Sequence, residues 1–201
     1  MKMFKSLFGF MFTLAAASAL SAAVEAGKTA PEFSLKDISG RTHHLSDYKG
    51  KTVVLEWVNP ECPFVRKHYG SGNIPKLQRS AKSDGVVWLS VNTGKPGDQG
   101  VYGAKRHAEW AKSVNAAPSA YLRDPDGRVG RLYGAKATPH IYEIKDDGTL
   151  AYNGAIDSIR SADVDDIAKA ENYVASALAA VKAGKPVAKA TTQPYGCAVK
   201  Y

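Results

Sequence analysis

Hydrophobic residues fall into short runs separated by turn residues, the spacing of a chain that alternates strands and helices. Residues 31–38 alternate apolar and polar and predict a strand, ended by Ser39-Gly40. Residues 46–51 predict one helical turn. Residues 52–58 are nearly continuous in apolar side chains, the pattern of a strand buried on both faces. A helix is predicted to open at Cys62-Pro63, because proline suits a first helical turn. It is expected to break at Gly70-Ser71-Gly72-Asn73 and to resume over 74–82. Residues 86–91 predict a second buried strand, 93–100 a Gly/Pro loop, 101–114 a helix and 119–123 a short strand. Asp124-Pro125-Asp126-Gly127 has the composition of a turn, followed by a short helix over 129–134. Residues 141–145 and 149–152 flank Asp146-Asp147-Gly148 as a hairpin. Residues 163–183 are predicted as the longest helix, with Val164, Ile167, Ala168, Val174, Leu178 and Val181 on its apolar side and Gly184 as its stop. From Lys185 onward the chain holds Pro186 and Pro194 and no periodicity. This order predicts an α/β sandwich, a mixed central sheet flanked by helices, with a C-terminal tail.

The N-terminus departs from this pattern. Lys2 and Lys5 precede an apolar run over 6–20, and small residues follow up to Ala23 and Ala26. That is the three-part pattern of a secretory signal peptide. The run is shorter than the roughly 18 residues of a spanning helix. Cleavage is expected after Ala23 or Ala26, with export to the periplasm or otherwise out of the cell and membrane contact only during export. The organisation read from the sequence is a signal at 1–26, one domain at 27–184 and a tail at 185–201 carrying Cys197.

Charge and histidines exclude more than they assign. The chain has 27 Lys and Arg against 19 Asp and Glu, a net charge of +8. The basic residues are scattered, with no run of four, so they read as a solvated surface and nucleic acid is not expected as a partner. The five histidines lack Cys/His metal spacing, so neither metal nor cofactor is expected.

The cysteines change the picture most, and there are two. Cys62 follows a buried strand and opens a helix, where unpaired backbone N–H groups and the helix dipole favour a thiolate. Arg66, one turn on, is a candidate source of positive potential for that thiolate. Glu61 either opposes the anion or handles protons for a leaving thiol. Cys197 lies far along the chain in Gln193-Pro194-Tyr195-Gly196-Cys197. Export makes such a pair available for a disulfide. The competing reading is two inert cysteines packed as small hydrophobes.

Several words of the sequence match a known family. They are Ala30-Pro31-Glu32-Phe33-Ser34-Leu35, Asn59-Pro60-Glu61-Cys62-Pro63-Phe64-Val65, Asp124-Pro125-Asp126-Gly127, Tyr133-Gly134-Ala135 and Ala137-Thr138-Pro139-His140. Over residues 27–182 the chain resembles the redoxins: alkyl hydroperoxide reductase/thiol-specific antioxidant proteins and their thioredoxin-like relatives. It is most similar to a peroxiredoxin-like subgroup with a Cys-x-x-Cys-Pro-[Tyr/Phe]-Val segment. The resemblance implies a thioredoxin-like three-layer sandwich with Cys62 as nucleophile. It implies a cis Thr138-Pro139 bond facing Cys62, with Thr138 backbone groups offered to an extended substrate. The Pro-Tyr-Gly-Cys ending implies that Cys197 is a resolving thiol on a mobile tail. A Cys62–Cys197 structural staple is the alternative, its closed loop contributing on the order of 5 kcal/mol.

This sequence also departs from the family. Asn59 stands where the subgroup has its first cysteine and where peroxidases place a threonine. Val65 stands where thioredoxins have their second cysteine. The resulting expectation is an exported thiol oxidoreductase acting by thiol–disulfide exchange, with a thiol peroxidase and a non-catalytic redoxin-fold binding module as alternatives. Its partners would be a protein disulfide or a peroxide and an unidentified thiol reductant.

Overall fold

The chain is organised around β3 (Val53–Trp57), all five of whose residues are buried. The computed structural model describes residues 24–201, so most of the segment read as a signal lies outside the described residues. β3 pairs in parallel with β4 (Val87–Thr93), and β4 with β5 (Ala120–Asp124). On its other side β3 meets β7 (His140–Ile144) in antiparallel register, Val53 opposite Ile144 and Trp57 opposite His140. β8 (Leu150–Gly154) closes one edge as the far arm of the predicted hairpin. β1 (Ser34–Asp37) and β2 (Thr42–His44) close the other, antiparallel to β5 and to each other. The order is β2-β1-β5-β4-β3-β7-β8, a mixed seven-stranded sheet.

Side chains alternate across this sheet, as the two-residue strand period demands. Leu55, Trp57, Leu89, Leu122 and Tyr142 pack on one face, with Val129 and Tyr133 of α4 (Arg128–Tyr133). Val54, Trp88, Ile141 and Tyr152 pack on the other, under α1 (Pro63–Gly70), α2 (Asn73–Ser83) and α5 (Tyr173–Lys182). Trp110 of α3 (Ala104–Ser113) joins this second face. The result is the three-layer α/β sandwich. Each of these fully buried large apolar side chains contributes roughly 1.5–3 kcal/mol.

β2 is a three-residue edge strand with only His43 buried, too short to show a period. Two expectations need correction. The long helix over 163–183 is two pieces: a 3-10 turn at Val164–Asp166, capped by Asp163, and α5. The chain between them folds back on residues 156–158. Ser158 N donates to Glu171 O, Glu171 N to Ser158 Oγ, and Tyr173 N to Ile156 O. Asn172 then caps α5 by accepting from Ala175 N at 2.9 Å. Val164, placed on the apolar side by periodicity, is 49% exposed. Second, the tail is neither unstructured nor detached: β9 (Cys197–Ala198) pairs antiparallel with β6 (Ala137–Thr138).

Candidate active site

Cys62 sits at the point where β3 hands over to α1. The turn between them is built by Asn59, whose Oδ1 accepts from Glu61 N at 2.9 Å and whose carbonyl accepts from Cys62 N at 3.0 Å. Asn59 Nδ2 donates to Gln99 O, and the side chain lies so close over Gly100 that a Cβ there would fall 1.8 Å from Asn59 Oδ1. The residue in the subgroup's first cysteine position thus acts as a scaffold for the turn. Cys62 is the N-cap of α1, with Pro63 in the first helical turn, as predicted. Val65 points into the core, wholly buried.

Opposite the helix start lies Thr138-Pro139. The bond is cis, as the resemblance implied, and the Cys62 thiol donates to Thr138 O at 3.1 Å across 76 positions of sequence. Thr138 is also the register partner of Cys197 in the β6–β9 pair. Its Oγ1 donates to Cys197 O at 3.4 Å. One residue therefore touches both cysteines. Cys197 packs against the apolar cluster that holds Cys62, and both are free thiols. Cys62 is 2% exposed. Burial, then the hydrogen bond and charge of Cys62, push the Cys197 thiol up to about 12, with Lys200 pulling slightly the other way.

Neighbouring charges are placed as follows. Arg66 is exposed and its Nε donates to Pro60 O at 3.4 Å. Glu61 pairs with Arg106 at 3.1 Å, with the Arg106 guanidinium 3.8 Å above the Tyr102 ring. Among the described residues no three His, Cys, Asp or Glu side chains gather to hold a metal ion.

Two buried groups near this site escaped the sequence reading. Glu56 on β3 lies under α1 and α2, fully buried, and accepts from Trp88 Nε1 at 2.7 Å, Tyr69 Oη at 2.9 Å, Ser90 Oγ at 3.0 Å and Gln78 Nε2 at 3.3 Å. Burial still raises its pKa despite these donors. A lone glutamate inside an apolar run, Val53-Val54-Leu55-Glu56-Trp57, was the available signal. The second group is a polar chain under α1. Asn73 Nδ2 donates to His68 Nδ1 at 2.9 Å, so the neutral ring carries its proton on Nε2, which lies 3.3 Å from Tyr195 Oη. Tyr195 Oη in turn donates to Asp157 Oδ1. Desolvation, with Lys67 adding to it, lowers His68 to about 3. Lys67 itself, its side chain wholly buried, donates to Ser161 O at 3.0 Å and lies 4.0 Å from Asp157.

Fold and site together define a protein of the thioredoxin-like class: a helix-capping cysteine facing a cis-proline at the edge of a mixed sheet. Within that class the chain belongs to the AhpC/TSA family, whose pattern matches residues 26–153. It is 41% identical over 148 residues to the thiol-disulfide oxidoreductase ResA of Geobacillus thermodenitrificans, covering 61% of this chain and 80% of that protein. ResA of Bacillus subtilis is 29% identical over 129 residues, 54% of this chain and 67% of its own. Among solved structures, an uncharacterized conserved protein of Geobacillus kaustophilus superposes with a TM-score of 0.73 at 24% identity, covering 88% of this chain and 92% of its own. A thiol:disulfide interchange protein DsbE, assigned as putative, from Chlorobium tepidum gives 0.58 at 22% identity, covering 80% and 99%. The structural likenesses speak for the thioredoxin-like fold.

Proposed function

We propose that this chain is an exported thiol–disulfide oxidoreductase in which Cys62 attacks and Cys197 resolves. The observation that carries this reading is the double role of Thr138, whose carbonyl accepts from Cys62 and whose strand pairs with Cys197. The 41% identity to a thiol-disulfide oxidoreductase supports the reaction class.

The division of labour follows from the environment of the two thiols. First attack belongs to Cys62, the N-cap of α1, where unpaired backbone N–H groups and the helix dipole favour a thiolate; burial raises the Cys197 thiol, which suits the later step. The Cys62 thiolate attacks one sulfur of a substrate disulfide, forming a mixed disulfide and expelling one thiolate. The charge of Cys62, one of the lesser causes that raise Cys197, is gone once Cys62 is bound in that disulfide, while burial, the largest, remains. Cys197 gives up its proton to the thiolate already expelled and attacks the Cys62 sulfur, expelling the second thiolate and closing Cys62–Cys197. The two thiols are oxidised, the substrate disulfide is reduced to two thiols, and an external thiol reductant restores the pair. Thr138 and Pro139 form the wall against which the substrate sulfur lies, and Arg66 adds positive potential at the mouth of the site.

One observation favours a second reading. With Cys62 2% exposed, a peroxide reaches it more readily than a folded protein does. In a peroxidase, Cys62 would take oxygen as a sulfenic acid and Cys197 would condense with it, releasing water.

Export places the pair where a disulfide persists. Of the two cleavage positions, Ala23 leaves intact the bond from Asn153 Nδ2 to Val24 O at 3.0 Å. We take residues 27–184 and the tail as one working unit.

The test is Cys197→Ser presented in turn with a protein disulfide and with hydrogen peroxide, followed by intact-mass spectrometry. A trapped mixed disulfide on Cys62 supports exchange. A stable sulfenic acid without a trapped partner assigns the peroxidase reading. No adduct in either arm rejects both and leaves the binding module.

A further inference from the structure

The polar chain under α1 ends on the tail, two residues from Cys197, and the mechanism above does not use it. Tyr195 and Cys197 are separated by two positions, as are Cys62 and Phe64. The two pairs match: Cys197 is the register partner of Thr138, whose carbonyl accepts from Cys62, and packs on the cluster that holds Cys62, while the Tyr195 ring meets that of Phe64 edge-on at 5.7 Å. Between Tyr195 and Cys197 stands Gly196, at φ +136°. A Cβ there would fall 2.0 Å from Thr138 O, so the tail passes as close to β6 as a backbone can. Tyr195 is 3% exposed and its hydroxyl is held from both sides, by Asp157 Oδ1 and by the His68 ring. His68 is held in turn by Asn73, which accepts from Asn172 at 3.4 Å.

We propose that Tyr195 is the positioning residue of the resolving thiol: its buried hydroxyl, clasped by Asp157 and His68, keeps Cys197 in contact with Cys62. The proposal rests on the reading of Cys62 and Cys197 as a redox pair. Its physical content is an effective concentration. A tail cysteine free to wander meets Cys62 only part of the time, whereas a clasped one is present whenever a mixed disulfide forms. Two ladder pairs alone hold a strand weakly, so the tail relies on side chains on both sides of Cys197, Tyr195 before it and Tyr201, whose hydroxyl donates to Ala135 O, after it; of these Tyr195 stands nearer the thiol.

The balance of the step is unchanged by Tyr195. An oxidised glutathione molecule accepts two electrons, Cys62 and Cys197 lose their two protons and form one S–S bond, and two glutathione thiols leave. Tyr195 alters only how soon the second attack follows the first.

The experiment uses the full chain, reduced and then mixed with one equivalent of oxidised glutathione. Acid-quenched samples give the lifetime of the Cys62–glutathione mixed disulfide by mass. Site-resolved iodoacetamide labelling of the reduced protein gives the exposure of Cys197, and a melting curve checks folding. Tyr195→Phe keeps the ring against Phe64 and loses the hydroxyl. It is expected to lengthen the mixed-disulfide lifetime at least tenfold and to label Cys197 at least tenfold faster. Asp157→Ala removes the acceptor and is expected to do the same, while Asp157→Asn keeps an acceptor and should stay within twofold of wild type. Wild-type lifetime and labelling in a folded Tyr195→Phe or Asp157→Ala protein would overturn the proposal. A wild-type protein that never closes Cys62–Cys197 rejects the redox pair itself, and the labelling rates then decide separately whether Tyr195 holds the tail.

Discussion

Cys62 and Cys197 reach the same few ångströms by opposite routes. Cys62 is fixed locally: β3 delivers it, Asn59 shapes the turn and Pro63 starts the helix it caps. Cys197 is fixed from a distance. Tyr195 is held by residues of α1 and of the loop after β8, Val199 N donates to Lys136 O, and Tyr201 Oη donates to Ala135 O at 2.6 Å with Arg131 over its ring. A thiol built into a helix start is as rigid as the core beneath it. A partner clasped at a few points can be released without unfolding anything else.

The sharpest way to break this comparison is to remove each sulfur. Cys62→Ser is expected to leave no thiol-exchange turnover above the uncatalysed rate, while Cys197→Ser keeps the first attack and stalls as a mixed disulfide. Turnover assays with mass detection decide it. Equal effects of the two changes on the first attack would erase the asymmetry between the sites.

Next comes expulsion of the tail with both cysteines kept. Gly196→Ala meets both a close carbonyl and a φ of +136°. Strain of on the order of 1–3 kcal/mol is enough to shift a weakly held strand. Iodoacetamide labelling of Cys62 should then rise about tenfold, with the melting temperature of the core little changed. A drop in melting temperature as large as that of a core cavity would mean that the tail is part of the core.

A smaller effect is expected from acid. His68 is neutral in the fold, lowered from 6.5 to about 3 by desolvation and by Lys67. The unfolded chain therefore takes up the proton first, and stability falls as pH drops from about 6.5 toward about 3, by at most about 1.4 kcal/mol per unit. Lys67, Asp157 and Tyr195 face the ring, so the tail should loosen in the same range. Melting temperatures of wild type and His68→Gln between pH 7 and pH 4 test it, and the variant should show the shallower slope. Parallel slopes would acquit His68.

The smallest effect belongs to Arg106→Ala. Its ion pair with Glu61 is largely exposed on the arginine side, 66% against 23%. Its loss should cost no more than about 1 kcal/mol in a denaturant melt and leave the labelling of Cys62 unchanged.

The same contrast decides what was legible in the sequence. Short-range signals carried the Cys62 side: the continuous apolar run of β3, the Cys-Pro helix start, the Gly70–Asn73 break and the hairpin around Asp146-Asp147-Gly148. The resemblance supplied the cis bond at Pro139. The tail strand was invisible because two residues have no period and their partner lies about 60 positions upstream. The helix over 163–183 was overextended because its apolar spacing continues through a segment that hydrogen-bonds back to Ile156 and Ser158. His68, Tyr195 and Asp157 come from three separate stretches, and nothing local in any one announces the other two.

The pairing of β6 with β9 also sets an order of events during synthesis. A chain made N-terminus first completes the sheet and α1 before β9 is available. For that interval Cys62 is a thiol in its final place without its neighbour, facing an open edge at Thr138. With two cysteines in the chain there is one intrachain pairing and no wrong isomer to correct. The hazard in that interval is capture by a thiol or disulfide from outside, and arrival of the last residues ends it.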